Sequence, residues 1–214
     1  MGQLALWSIL LAGAFGQTSP VPYFVPPLFS NERFLHSYPG TYSSIRSVDF
    51  RNFTFFGFEP IGGVSLKNGH YLHDEPHDVQ SVDLDSVHWL GKPQSKAEFA
   101  LVLLSWYESG VSASVGEAAS VFTLSGNRLI GVQEIGWDTQ LQYNQPAEYF
   151  DATTNTLVIR PPHYIPGDGH CCISAMDVVT FRWDGAGFVQ TGIQTELSEY
   201  GKKEGKVLPT AVPR

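Results

Sequence analysis

From Val48 to Val189 apolar and polar residues exchange places in short blocks, and after the first sixteen residues no stretch of ten or more repeats with helical period. Val178-Val179-Thr180-Phe181-Arg182-Trp183 shows the pattern best: Val179, Phe181 and Trp183 alternate with Thr180 and Arg182, Asp184-Gly185 supplies a turn, and Phe188-Val189 starts a return strand. Val48 to Phe56 reads as a strand whose apolar positions shift from even (Val48, Phe50) to odd (Phe53, Phe55), which a bulge near Arg51-Asn52 would explain. Val64-Ser65-Leu66 and Tyr71-Leu72 flank Lys67-Asn68-Gly69-His70, a turn whose Asn-Gly tolerates positive φ. Val79 to Leu90 predicts a longer strand with its own parity switch between Val82/Leu84 and Val87/Trp89. Phe99 to Leu104 is apolar throughout, the signature of a strand covered on both faces, and is expected at the centre of the fold. Ala118 to Leu124 and Arg128 to Ile135 form a hairpin about Ser125-Gly126-Asn127, and Ala147 to Phe150 and Thr156 to Arg160 give weaker strands. These blocks predict a mainly β fold, a single antiparallel sandwich or a strongly twisted, partly closed sheet of about eight to ten strands with little helix.

The two ends have other patterns. Leu4 to Ala14 is apolar except for Ser8 and Gly13, too short for a membrane span of about 20 residues and suited to an export signal cleaved between Gly16 and Gln17, although no Lys or Arg precedes it. Pro20, Pro22, Pro26 and Pro27 then fix an extended lead-in, with a short helical turn expected at Ser30 to Leu35. The expected organisation is a signal peptide at 1–16, a Pro-rich lead-in at 17–44, a β domain at 45–195, and a polar tail at 196–214 that frays. The chain is long enough for one domain with a real core, and no membrane span is expected after cleavage.

Charge narrows the partners. Asp and Glu number 21 against 13 Lys and Arg, so the surface repels phosphate backbones, and nucleic acid is not an expected partner. An exported location, secreted or periplasmic, bears directly on Cys171 and Cys172, the two cysteines of the chain, because thiols oxidise there. They can bond to each other, remain as thiols, or pair with another molecule. A vicinal disulfide would have to bridge Cα atoms about 3.8 Å apart, below the usual lower limit of about 4.4 Å, with Gly167 and Gly169 giving the backbone room to adapt.

The candidate functional residues are Cys171, Cys172, His170 and Asp168, with His163 and Tyr164 in the same loop. No metal site is expected. Adjacent thiolates lack the spacing of a zinc knuckle, and His70-x-x-His73-x-x-x-His77, with Asp74, Glu75 and Asp78 between, is broken by Pro76. Asp83 and Asp85 begin like a calcium loop, but Val87 and Trp89 fall on the next ligand positions. Asn52-Phe53-Thr54 is a glycosylation sequon by pattern alone. Nucleophile-elbow, phosphate-loop and dinucleotide motifs are missing, and no cofactor is implied.

Gly169-His170-Cys171-Cys172-x-Ser174, followed by Phe181-Arg182-Trp183-Asp184-Gly185 and Phe188-Val189, resembles the C-terminal signature of LppP/LprE-type bacterial envelope proteins. Val48 to Thr54 is similar to the opening strand of related secreted proteins. Ile173 stands where that family typically has Pro, its lipid-bearing leader cysteine is missing, and Ser86 to Ser95 lacks its Asp-rich loop. The resemblance implies a small envelope or secreted domain without an assigned reaction. The expected function is therefore non-catalytic, binding or structural, with an envelope protein or a small ligand as partner. The alternative is a thiol–disulfide or hydrolytic enzyme using Cys171 or Cys172 with His170.

Overall fold

A computed structural model describes residues 29–58, 62–75, 78–91, 98–109, 114–139, 148–169 and 172–208. The expected export signal and the first prolines lie outside these residues. Among these residues the chain is mainly β, in three antiparallel sheets, none closed into a barrel. In chain order the strands are β1 Phe29–Ser37, β2 Thr54–Phe58, β3 Gly62–Ser65, β4 His70–Glu75, β5 Asp78–Leu90, β6 Phe99–Ser109, β7 Ser114–Ser125, β8 Arg128–Asp138, β9 Glu148–Asp151, β10 Thr156–Ile159, β11 Pro162–His163, β12 Ala175–Trp183 and β13 Phe188–Leu197, followed by a short helix α1, Glu199–Lys203.

Six strands in the order β1-β8-β7-β6-β5-β4 make the largest sheet. The second sheet is built on β12, which pairs with β13 along one edge and with β10 and β11 along the other, while β9 lies beyond β10. β2 and β3 form a separate ribbon. The fully apolar run of β6 explains how these layers are held. Ala100, Val102 and Leu104 join one core with Phe50, Phe53, Phe55, Val64 and Phe122, whereas Leu101 and Leu103 join another with Leu157, Ile159, Val179, Phe181 and Phe188. Alternate side chains of a strand point to opposite faces, so β6 is buried by the ribbon on one side and the second sheet on the other.

The mainly β, antiparallel architecture is the one expected, but the thirteen strands among the described residues outnumber the eight to ten expected, chiefly because short or exposed strands lack alternation. β1 is the clearest case. Residues 30–35, expected as a helical turn within the lead-in, pair with β8 over most of their length, so strand structure is already present at Phe29, ahead of Ile45. Its side chains are mostly exposed, and backbone pairing at a sheet edge leaves no apolar period to read. The parity switch at Val48 to Phe55 is also real, but its cause differs from the expected bulge: Phe50–Asn52 forms a 3-10 turn whose first free amide, on Arg51, donates to the Asp49 carboxylate. In β5 the switch is a bulge, between Leu84 and Ser86. Asn68 and Gly69 adopt φ of 56° and 87°, the tight turn that the sequence indicated, here joining the ribbon to the six-stranded sheet.

Candidate functional site: the loop that carries the cysteines

The chain leaves β11 at His163 and enters β12 at Ala175 through a loop fastened at both ends. Gly167 has φ of 92°, so the backbone turns there in a conformation that favours glycine, and the next residue faces back into the loop. The Asp168 carboxylate accepts the amides of Ile165 at 3.1 Å and Ser174 at 2.9 Å, and the Ser174 hydroxyl as well. Burial pushes the Asp168 carboxyl up, but these hydrogen bonds and the Lys206 ammonium together hold it below the usual carboxylate range. Ser174 itself is fully buried. Between these anchors the Cys172 amide donates to the Gly169 carbonyl at 3.0 Å, holding those two residues together.

A second fastening comes from the residues after β13. Ser198 is buried, its amide donates to the Ser174 carbonyl and its hydroxyl to the Ile173 carbonyl at 2.6 Å, and the same oxygen accepts the Gly201 amide as the N-cap of α1. Gly201 lies so close to Ser174 that a Cβ there would sit 2.1 Å from the Ser174 carbonyl oxygen. The segment expected to fray from residue 196 therefore continues as β13 to Leu197 and caps the cysteine loop through α1. Its polar sequence concealed this, although Ser198-Glu199 is a legible helix start.

Of the sequence candidates, Asp168 is an anchor and Cys172 is partly buried beside it. His170 and Cys171, and with them the expected disulfide, lie outside the described residues. His163 is placed in the adjoining strand, its Nδ1 3.1 Å from Asp177, whose buried carboxylate also accepts the Thr195 hydroxyl at 2.7 Å. Sequence reading missed this buried carboxylate because Asp177 lies on the inward face of β12, ahead of the residues whose alternation is regular. His70 pairs instead with Asp83 at 2.7 Å, and Asp85, in the β5 bulge, accepts the Ser105 hydroxyl; His77 lies outside the described residues. Asn52 is held by Asp49 and by the Asn68 amide, at the turn before β2 instead of inside a strand. Among the described residues no group of three or more His, Cys, Asp or Glu side chains is arranged to hold a metal.

Gln133 is another residue that its sequence context hides. Buried on β8, its amide oxygen accepts the Phe188 N–H at 2.6 Å while its nitrogen donates to the Phe188 carbonyl and to Asn31, so one side chain ties two sheets and β1 together. Arg33 adds an exposed ion pair to Asp184, in the turn between β12 and β13. Residues 132–186, from the strand that carries Gln133 to the turn that carries Asp184, match the family model of the LppP/LprE lipoproteins. The resemblance to that family holds over this stretch. The LppP/LprE-like region thus supplies β9 to β12, the cysteine loop and most of the strand of the large sheet that clamps them, and similarity to lipoproteins implies an envelope-associated location. No curated protein and no solved structure matches the chain. Among the described residues no helix is long and apolar enough to cross a membrane.

Proposed function

We infer that the protein is a non-catalytic domain of the cell envelope, secreted or periplasmic, whose cysteine loop is an architectural element that holds a surface in shape for an envelope protein or a small ligand. The observation that carries this reading is the engagement of Asp168 and Ser174 with each other. A carboxylate that accepts three hydrogen bonds and a fully buried hydroxyl that donates to it are poorly placed as a base and a nucleophile. The residues of the LppP/LprE-like signature nearest the cysteines thereby acquire structural work. In the oxidised protein Cys171 and Cys172 join as a vicinal disulfide, the pairing that the oxidising compartment and the adjacency of the two thiols in sequence favour.

Thiol titration of the exported protein, with Cys172→Ser and a disulfide-reduction assay on insulin, tests the reading. The expected result is no alkylatable thiol before reduction, a lower unfolding midpoint in Cys172→Ser, and no insulin-reducing turnover in either protein. A thiol of depressed pKa together with turnover that Cys172→Ser abolishes would establish the enzymatic alternative.

A further inference from the structure

We propose that β13 is a self-association edge, pairing antiparallel with β13 of a second copy about a two-fold axis at Gln194. A sheet edge offers a row of unpaired N–H and C=O groups, and proteins blunt such edges with charge, proline or shortness. Among the described residues each outer edge of the two larger sheets carries such a device over its length except β13, whose charge is confined to Glu196 near its end and which is otherwise blunted only by one bulge. β1 bears Glu32 and Arg33, β4 bears Asp74 and Glu75, β9 has four residues with Glu148 and Asp151, and β11 has two residues, the first of them Pro162. β13 has ten residues and among the described residues pairs with β12 alone, and from Gly185 to Thr195 the sequence holds no charge, in a chain of net charge −8. Residues 189–194 are all exposed, with Val189 at 42% and Ile193 at 47%. Two acidic copies can approach there without opposing like charges.

The register follows from the pairing already present. β13 is bulged at Thr191, so a regular ladder runs only from Gly192 to Leu197. Within it, the Ser198 amide donates to the Ser174 carbonyl, which sets the alternation: Gly192, Gln194 and Glu196 bond to β12, and the N–H and C=O groups of Ile193, Thr195 and Leu197 face the open edge. Directly opposed residues in an antiparallel pair share a face, so the axis must fall on a residue. At Gln194 it pairs Ile193 with Thr195 of the other copy in hydrogen-bonded positions and sets each Glu196 opposite Gly192, which has no side chain to crowd it. An interface of this kind is isologous, made by one patch meeting itself.

Sedimentation velocity of the exported protein over a concentration series, with Gln194→Lys, Gln194→Glu and their equimolar mixture, tests the proposal. Wild type is expected to pass from monomer to dimer as concentration rises. Each variant alone, placing like charges opposite each other, should need about tenfold more protein to do so, and the mixture should recover dimer. As a second readout, Gln194→Cys should give a reductant-sensitive covalent dimer, because opposed residues in a non-hydrogen-bonded pair have Cα atoms about 4.5 Å apart, within disulfide reach. A wild type that stays monomeric, a dimer indifferent to Gln194→Lys, a mixture that stays monomeric, or a Gln194→Cys protein that does not cross-link would each overturn it.

Discussion

The central strand β6 and the inner end of the cysteine loop, Ile173-Ser174, are both buried, yet they are held by opposite means. Ala100 to Leu104 are at most 4% exposed and touch apolar side chains on both faces, whereas Ile173 and Ser174, just as deeply buried, are held through one carboxylate and one serine hydroxyl. The contrast separates two kinds of stability within one domain. Apolar packing is distributed over many contacts and is indifferent to pH, while a hydrogen-bonded loop concentrates its stability in a few groups, one of which titrates.

The largest effect should come from the strand. Leu101→Ala opens a cavity between the two sheets and is expected to cost about 2–5 kcal/mol of global stability, read from denaturant unfolding. The amides of residues 99–104 should exchange with deuterium only through global unfolding, and exchange there as fast as at an exposed turn such as Gly126 would remove β6 from the centre of the fold. In the loop, Asp168→Ala strands the buried Ser174 amide and hydroxyl and should cost about 2–3 kcal/mol, with the loss of exchange protection concentrated at residues 172–174.

Acid sharpens the contrast. The Asp168 carboxyl titrates lower in the folded protein than in the unfolded chain, so folding favours its ionised form. Its stabilisation is complete above the unfolded carboxylate value of about 3.9 and is lost as pH falls through that value toward the lowered folded one. Unfolding midpoints measured from neutral pH downward should therefore fall less steeply in Asp168→Ala than in wild type, and an identical acid slope would contradict the assignment. The smallest effect is that of Ser198→Ala, about 1–2 kcal/mol for a lost N-cap together with the lost bond to the Ile173 carbonyl, visible as faster exchange in α1 and at residues 173–174.

These two regions were also unequally legible in the sequence. β6 was plain, because a continuous apolar run has few other fates, and the β12–β13 hairpin was plain because Val179, Phe181 and Trp183 alternate ahead of Asp184-Gly185. Asp168 was legible as a candidate, but not as an anchor: its partners are two backbone amides and a serine six residues on, which no spacing rule announces. Gln133 and Asp177 were invisible for the same reason, since each matters through a residue far along the chain, as Gln133 does through Phe188, and Ser198, legible as a helix start, was not legible as the partner of Ile173. β1 escaped because its contribution is made by backbone groups, which every sequence possesses.

The most direct test is a double-mutant cycle between Asp168 and Ser174. If the signature around the cysteines is a staple, Asp168→Ala, Ser174→Ala and the double variant should show a coupling of about 1–3 kcal/mol in unfolding free energy, because removing either partner already forfeits their shared bond. Losses that add to within about 0.5 kcal/mol would mean that the two residues act independently, and the architectural reading of the loop would fall.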